Sequence, residues 1–172
     1  GVLPETGFRF QIAFNTGNTT RQIVGEILQA EMSAINDLYQ VDTLGLPWPT
    51  LLAAQRVSML PVSINGWQED IHDPHNWVQP YLVGTFGARQ NITPELMDQY
   101  REFVNNGVLA SDPAEREQIY FDLQELYYET VPQVILLQRD GPWYSQRWVD
   151  GYYYRVGAFG RDYYALSLTA AQ

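Results

Sequence analysis

Cysteine is absent from the sequence, and so is lysine: all ten basic residues are arginine. Without cysteine there are no disulfides, no thiolate zinc sites and no thiol nucleophile. Without lysine there is no Schiff-base amine, no phosphate-loop lysine and no lysine general base. Positive charge is scarce against 20 acidic residues, which leaves a formal net charge of −10 and a pI near 4.4. Such a chain repels phosphate backbones, so nucleic acid is not an expected partner. No apolar run approaches the roughly 18 residues that a membrane span requires. The start, GVLPETGFRF, has neither the basic nor the apolar region of a secretory signal.

What is present is a chain of 172 residues, 45% hydrophobic and 14% aromatic, enough for one domain with a sizeable core. Phe8 to Phe14 alternates large apolar with smaller or polar residues and predicts a strand. Thr19 or Thr20 can cap a helix running to about Leu38, with Ile23, Ile27, Ala30 and Ala34 on its apolar stripe. A short strand over Gln40–Leu44, a helix over Thr50–Val57 and a strand over Met59–Ile64 complete a β-α-β-α-β rhythm, the mark of an α/β sheet. Trp77 to Asn91 is turn-rich. Thr93-Pro94-Glu95 opens a helix with stripe Leu96, Tyr100 and Phe103, stopped at Asn106-Gly107. Asp112-Pro113 opens another, with Ile119, Leu123, Leu126 and Tyr127 inward, ended by Pro132. Val134–Leu137 is continuously apolar and predicts a strand buried on both faces. From Trp143 to Tyr164 aromatics crowd among polar residues and glycines without a usable period.

The densest chemistry lies in GWQEDIHDPHNW, Gly66 to Trp77, which holds Glu69, Asp70, Asp73 and both histidines, His72 and His75. A loop metal site is one reading, since these are oxygen and nitrogen ligands. The spacing does not place them on one helix face, and Pro74 disfavours helical φ/ψ at Asp73. Asp73-Pro74 is better read as an Asx-type turn that starts a helix. No Gly-x-Ser-x-Gly elbow is present. No carboxylate pair stands out for glycosidase chemistry, whose spacing is set by the fold. Gly84-Thr85-Phe86-Gly87 lacks the lysine of a phosphate loop.

The order of these pieces resembles one lobe of the extracytoplasmic solute-binding proteins of peptide- and nickel-type ABC importers. Four motifs carry the likeness: FRFQIAFNTGNTTRQIVGEILQAEM, the Trp48 to Leu52 element, Gly-Trp-x-x-Asp-x-x-Asp-Pro at Gly66, Trp67, Asp70, Asp73 and Pro74, and REQIYFDLQELYYETVPQVILL. The resemblance implies an α/β fold, lobe II of a bilobed periplasmic-binding-protein clamshell, with a βαβαβ core plus helices. Residues 1–140 would form the ligand-binding lobe, and 141–172 an aromatic segment returning toward a lobe I that lies outside this sequence. It implies binding rather than turnover: capture of a peptide-like solute and delivery to a membrane permease, outside the cytoplasm, with a lipoprotein anchor as one arrangement of the full-length protein.

In peptide-binding members the Asp of Gly-Trp-x-x-Asp accepts the ligand's α-ammonium, and Asp70 occupies that place. Trp67 would stand beside it as an apolar wall, with Gly66 and Asn65 at the strand exit. Arg21 falls at the family's helix-start arginine, with pairing to an anion and a surface role both open. Some oligopeptide binders carry an arginine three residues before the Trp; here that position is Ile64, and His72 and His75 are not part of the pattern. No cofactor, metal or catalytic residue enters this reading. The alternatives are a metal-dependent enzyme centred on His72 and His75, and a ligand-sensing domain of the same fold.

Overall fold

The computed structural model describes residues 3–90, 92–138, 144–153 and 163–169. They form two compact units. One holds the chain up to Trp67 and the return that carries Arg89 and Gln90; the other holds Gln68–Gly87 and the chain from Ile92 onward.

The first unit is the β-α-β-α-β segment. A four-residue helix α1 (Leu3–Thr6) leads into β1 (Phe8–Asn15), followed by α2 (Thr19–Ile35), β2 (Tyr39–Leu46), α3 (Trp48–Arg56) and β3 (Val62–Ser63). All three strands are parallel in the order β2-β1-β3, because each pair is joined by a helical crossover rather than a hairpin. β1 pairs with β2 from Phe8↔Tyr39 to Asn15↔Leu46. The Phe8 and Tyr39 rings stack at the start of that ladder, centroids 4.3 Å apart. β3 is shorter than the sequence predicts. Pro61, immediately before it, has no N–H to give to a ladder, so pairing is confined to Val62 and Ser63 opposite Ile12 and Ala13.

Helix α2 differs from expectation at both ends and in its buried face. Its cap is Asn18, whose Oδ1 accepts from the Arg21 N–H at 3.0 Å, and it ends at Ile35. The predicted stripe faces outward: Ile23 and Ile27 are 54% and 55% exposed. Val24, Leu28 and Met32 pack instead on Ile12, Val41 and Ile64. Both stripes have helical spacing, one residue or about 100° apart, so periodicity alone does not choose. Gly25 does. A Cβ there would stand 3.3 Å from Thr43 Cγ2 and 3.6 Å from Ile64 Cδ1, so glycine suits the face that lies against the sheet and a larger side chain would crowd it. Accordingly, Leu28→Ala is expected to cost about 2 kcal/mol of stability and Ile27→Ala under about 0.5 kcal/mol. Thermal unfolding that ranks them the other way would contradict this face.

The second unit is built on α5 (Pro94–Leu109) and α6 (Pro113–Thr130), preceded by a short helix α4 (His75–Val78) and a wide turn over Gln79–Val83. Both long helices begin as the sequence predicts. Thr93 Oγ1 accepts from Leu96 N–H, Asp112 Oδ1 accepts from Glu115 N–H, and proline fills the first helical position of each. Their core is Leu82, Tyr100, Val104, Tyr120 and Leu123, flanked by Leu96, Phe103, Leu126 and Tyr127. Asn106-Gly107 does not stop α5. The helix runs on to Leu109, and Gly107 is buried where a Cβ would meet the Tyr120 ring at 2.8 Å. α6 closes on Val131 in the left-handed region, φ 42°, whose N–H donates to Tyr127 O.

Val134–Leu137 is not a buried strand. It pairs with no strand among the described residues and is exposed throughout, Ile135 at 80%. A strand buried on both faces needs neighbours on each side, and apolarity alone cannot supply them. In the C-terminal segment, β4 (Val149–Asp150) and β5 (Ser167–Leu168) form a two-stranded antiparallel ladder. Parts of the expected 141–172 segment, at 141–143, 154–162 and 170–172, lie outside the described residues.

Candidate ligand-binding site

Because β1, β2 and β3 run parallel, their carboxyl ends fall on one edge of the first unit. That edge is the usual ligand position in open α/β sheets. β1 delivers Asn15, β2 is followed by Trp48, and β3 is followed by Asn65, Gly66 and Trp67.

Arg21 draws these ends together. It lies in the first turn of α2, where the Asn18 cap and Gly17 at φ 84° turn the chain back from β1. Its Nη1 donates to Asn15 Oδ1 at 2.8 Å, and its guanidinium carbon lies 5.9 Å from the centroid of the Trp48 ring. Its Nη2 comes so near Gly66 that a Cβ there would be 3.3 Å away. The guanidinium thus touches residues from all three strand ends.

Asn65 is held from inside. Its Oδ1 accepts from Gln55 Nε2 at 2.8 Å, and its Nδ2 donates to Ser63 Oγ at 3.0 Å. Trp67, half-buried, is the last residue of the unit before the chain enters the other. Four of the five expected site residues, Arg21, Asn65, Gly66 and Trp67, therefore belong to the first unit. Asp70 belongs to the second. Its side chain is exposed, and its backbone N–H donates to Asn76 Oδ1 at 2.9 Å. Asn15, Gln55 and Arg89 were not singled out from sequence, and Trp48 only as a family motif. The available signal was Gln55 four residues after Leu51 on the buried face of α3. Arg89, 34 residues from Gln55, offered none.

Asp73 is the turn residue the sequence predicts. Its Oδ1 accepts from the His75 N–H at 2.8 Å, at the head of α4. It has a second, distant partner: Arg116 Nη2 donates to Oδ1 at 2.8 Å and to Oδ2 at 2.9 Å. Arg116 is itself placed by Nε donating to Gly107 O and by the Tyr120 ring beneath it, 5.0 Å to the centroid. The Arg116 hydrogen bond holds the Asp73 carboxyl below the usual carboxylate range, against a smaller opposing effect of burial. Since the folded pKa is the lower one, the stabilisation is complete above the unfolded value of about 3.9 and fades as pH falls through the folded value. Acid titration of stability should therefore show a step in the wild type that Asp73→Asn lacks; identical acid limbs would contradict the pairing.

The histidines have separate surroundings. His72 Nδ1 lies 3.2 Å from Glu69 Oε2 on the surface, and Trp77 Nε1 donates to the same oxygen at 3.2 Å. His75 Nδ1 is buried without a hydrogen-bond partner among the described residues. Among the described residues no three His, Asp or Glu side chains gather as metal ligands.

A parallel sheet with polar and aromatic side chains converging past its carboxyl ends defines an open α/β fold. The chain is similar to "Di/tripeptide-binding protein 4" of Pseudomonas aeruginosa, with 25% identity over 115 residues, 66% of this chain and 21% of that protein. Among solved structures it resembles the periplasmic binding protein DppA from Helicobacter pylori in complex with peptide STSA, with TM-score 0.69 and 20% identity over 95% of this chain and 31% of that one. It also resembles a dipeptide-binding protein from Pseudoalteromonas in complex with Met-Leu (TM-score 0.62, 21% identity, 74% and 26% covered). A further likeness is to NikA from Brucella suis with Fe(III)-EDTA (TM-score 0.61, 19% identity, 70% and 24% covered). No family model matches. In fold the chain corresponds to part of these bilobed periplasmic binding proteins, and in sequence it is similar to part of the di/tripeptide-binding protein. It spans about a fifth of the length of the curated relative.

Proposed function

We propose that the chain is the ligand-binding lobe, lobe II over residues 1–140, of a receptor that captures a peptide-like solute and delivers it to the permease of an ABC importer. The observation that carries this reading is the gathering of Asn15, Arg21, Trp48 and Gly66 at the carboxyl ends of three parallel strands. The relatives support it: a di/tripeptide-binding protein, and binding proteins seen with Met-Leu and with peptide STSA. These are binding proteins, and nothing in the arrangement favours the metal-enzyme alternative over them.

In this reading Asp70 receives the ligand's ammonium group and Trp67 walls it on the apolar side. Asn65 and Gly66 form the exit of β3 that presents them. Arg21 borders the strand ends, where the α2 N-terminus adds partial positive charge and an anionic group of the solute is the complement. The remainder of a relative-length protein would supply lobe I, toward which 141–172 returns. The protein would work outside the cytoplasm, with a lipid anchor as one arrangement of the full-length form. Among the described residues no helix is long and apolar enough to cross a membrane. Calorimetry of the full-length protein tests the reading: free-amino dipeptides should bind, and their N-acetylated forms should bind at least about tenfold more weakly, the equivalent of about 1.4 kcal/mol. Absence of binding to any free-amino dipeptide would overturn it.

A further inference from the structure

Gln55 is 4% exposed. A buried amide has to be bonded at both ends, and this one is. Its Nε2 donates to Ser63 Oγ at 3.0 Å and to Asn65 Oδ1 at 2.8 Å; its Oε1 accepts from Arg89 Nη1 at 3.2 Å. The cationic donor settles which way the amide points. With Arg89 on one side, the carbonyl of Gln55 must face it, and the two N–H donors face Ser63 and Asn65. Asn65 is oriented in turn: its carbonyl meets Gln55, and its amino group meets Ser63 Oγ. The direction of one amide sets that of the next.

This matters because the relay acts where the chain leaves the sheet. The β3 ladder ends with the bond from Ile64 N–H to Ala13 O at 2.9 Å. No regular element follows until α4. Asn65 is thus the point at which side-chain bonds take over from the sheet, and Gly66 and Trp67 are the next two residues. We propose that Gln55 and Arg89 are positioning residues of the ligand site: the relay Arg89–Gln55–Asn65 sets the course of the β3 exit and so the stance of Trp67. The functional part of this inference rests on the binding reading above; the relay itself does not.

The test separates the two. In full-length protein labelled with ¹⁵N-tryptophan, Trp67→Phe assigns the Trp67 indole signal. Gln55→Glu keeps an acceptor for Arg89 but removes both donors; Gln55→Met removes both functions; Arg89→Met leaves the donors but frees the amide to turn. All three should shift or broaden the Trp67 signal and leave those of Trp77 and Trp148 in place. Gln55→Glu, which retains a partner for Arg89 but turns a carboxylate oxygen toward Asn65 Oδ1, should still unfold in a single cooperative transition. It should also weaken the tightest member of a free-amino dipeptide panel about tenfold, a loss of the size seen when supporting partners of a site are removed. A Trp67 signal unmoved in both Gln55 variants would overturn the relay. So would movement of all indole signals together with loss of that single transition. If wild-type protein binds no dipeptide, the binding reading fails, and the indole spectra still decide the relay.

Discussion

Asp70→Ala in the full-length protein is expected to lower free-amino dipeptide affinity roughly thirtyfold or more, the loss of a charge-assisted hydrogen bond worth about 2–3 kcal/mol. The size of the effect is informative. In the structure the Asp70 side chain is exposed, and a carboxylate in water gains only about 0–1 kcal/mol from a cationic partner. The larger loss requires that ligand capture remove water from the pair. Asp70→Asn sharpens this. It keeps an acceptor oxygen and loses the charge, so it should fall between wild type and alanine. Neither change should disturb the fold, because the local backbone is held by Asp70 N–H donating to Asn76 Oδ1, which leaves the side chain uninvolved. An Asp70→Ala protein with wild-type affinity would remove Asp70 from the site.

A large effect on stability is expected at Gly107. A Cβ there would stand 2.8 Å from Tyr120 Cζ and 2.9 Å from its hydroxyl oxygen. Tyr120 cannot give way easily: it is 6% exposed, and its hydroxyl accepts from Arg116 Nη2 at 3.3 Å. Arg116 in turn donates through Nε to Gly107 O and grips Asp73. Gly107→Leu therefore pushes α5 from α6 and strains the ion pair together, with an expected loss of about 3 kcal/mol, the upper part of the usual range for overpacking. Gly107→Ala should lose less, because it adds only the Cβ, and the gain in helix propensity of up to about 1 kcal/mol over glycine is common to both variants. Thermal unfolding that finds the leucine variant as stable as wild type would contradict the close approach of the two helices.

How much of this was legible in the sequence depends on how local its cause is. The caps Thr93-Pro94 and Asp112-Pro113 act within three residues, and both helices start where those residues say. The β-α-β-α-β rhythm was likewise readable from short-range pattern. What periodicity could not settle were questions of which neighbour an element meets. The face of α2 was decided by Gly25 against the sheet, and the continuation of α5 by Gly107 against Tyr120. Val134–Leu137 has the composition of a buried strand without the partner that would bury it.

The candidate site divides in the same way. Trp67 and Asp70 stood out because their motif is contiguous. The side chains that frame the strand ends did not, because Gln55 meets Arg89 across 34 residues; the Arg116 partner of Asp73, in the second unit, is likewise 43 residues away. The two histidines drew the eye by density alone, yet one faces Glu69 at the surface and the other heads a short helix.

The most direct measurement is a crystal structure of the full-length protein with a free-amino dipeptide bound. The account requires the peptide to lie at the carboxyl ends of the three parallel strands, with its ammonium nitrogen within hydrogen-bond distance of the Asp70 carboxylate and Trp67 against its apolar part. A peptide bound elsewhere, or an ammonium group with no contact to Asp70, would contradict it.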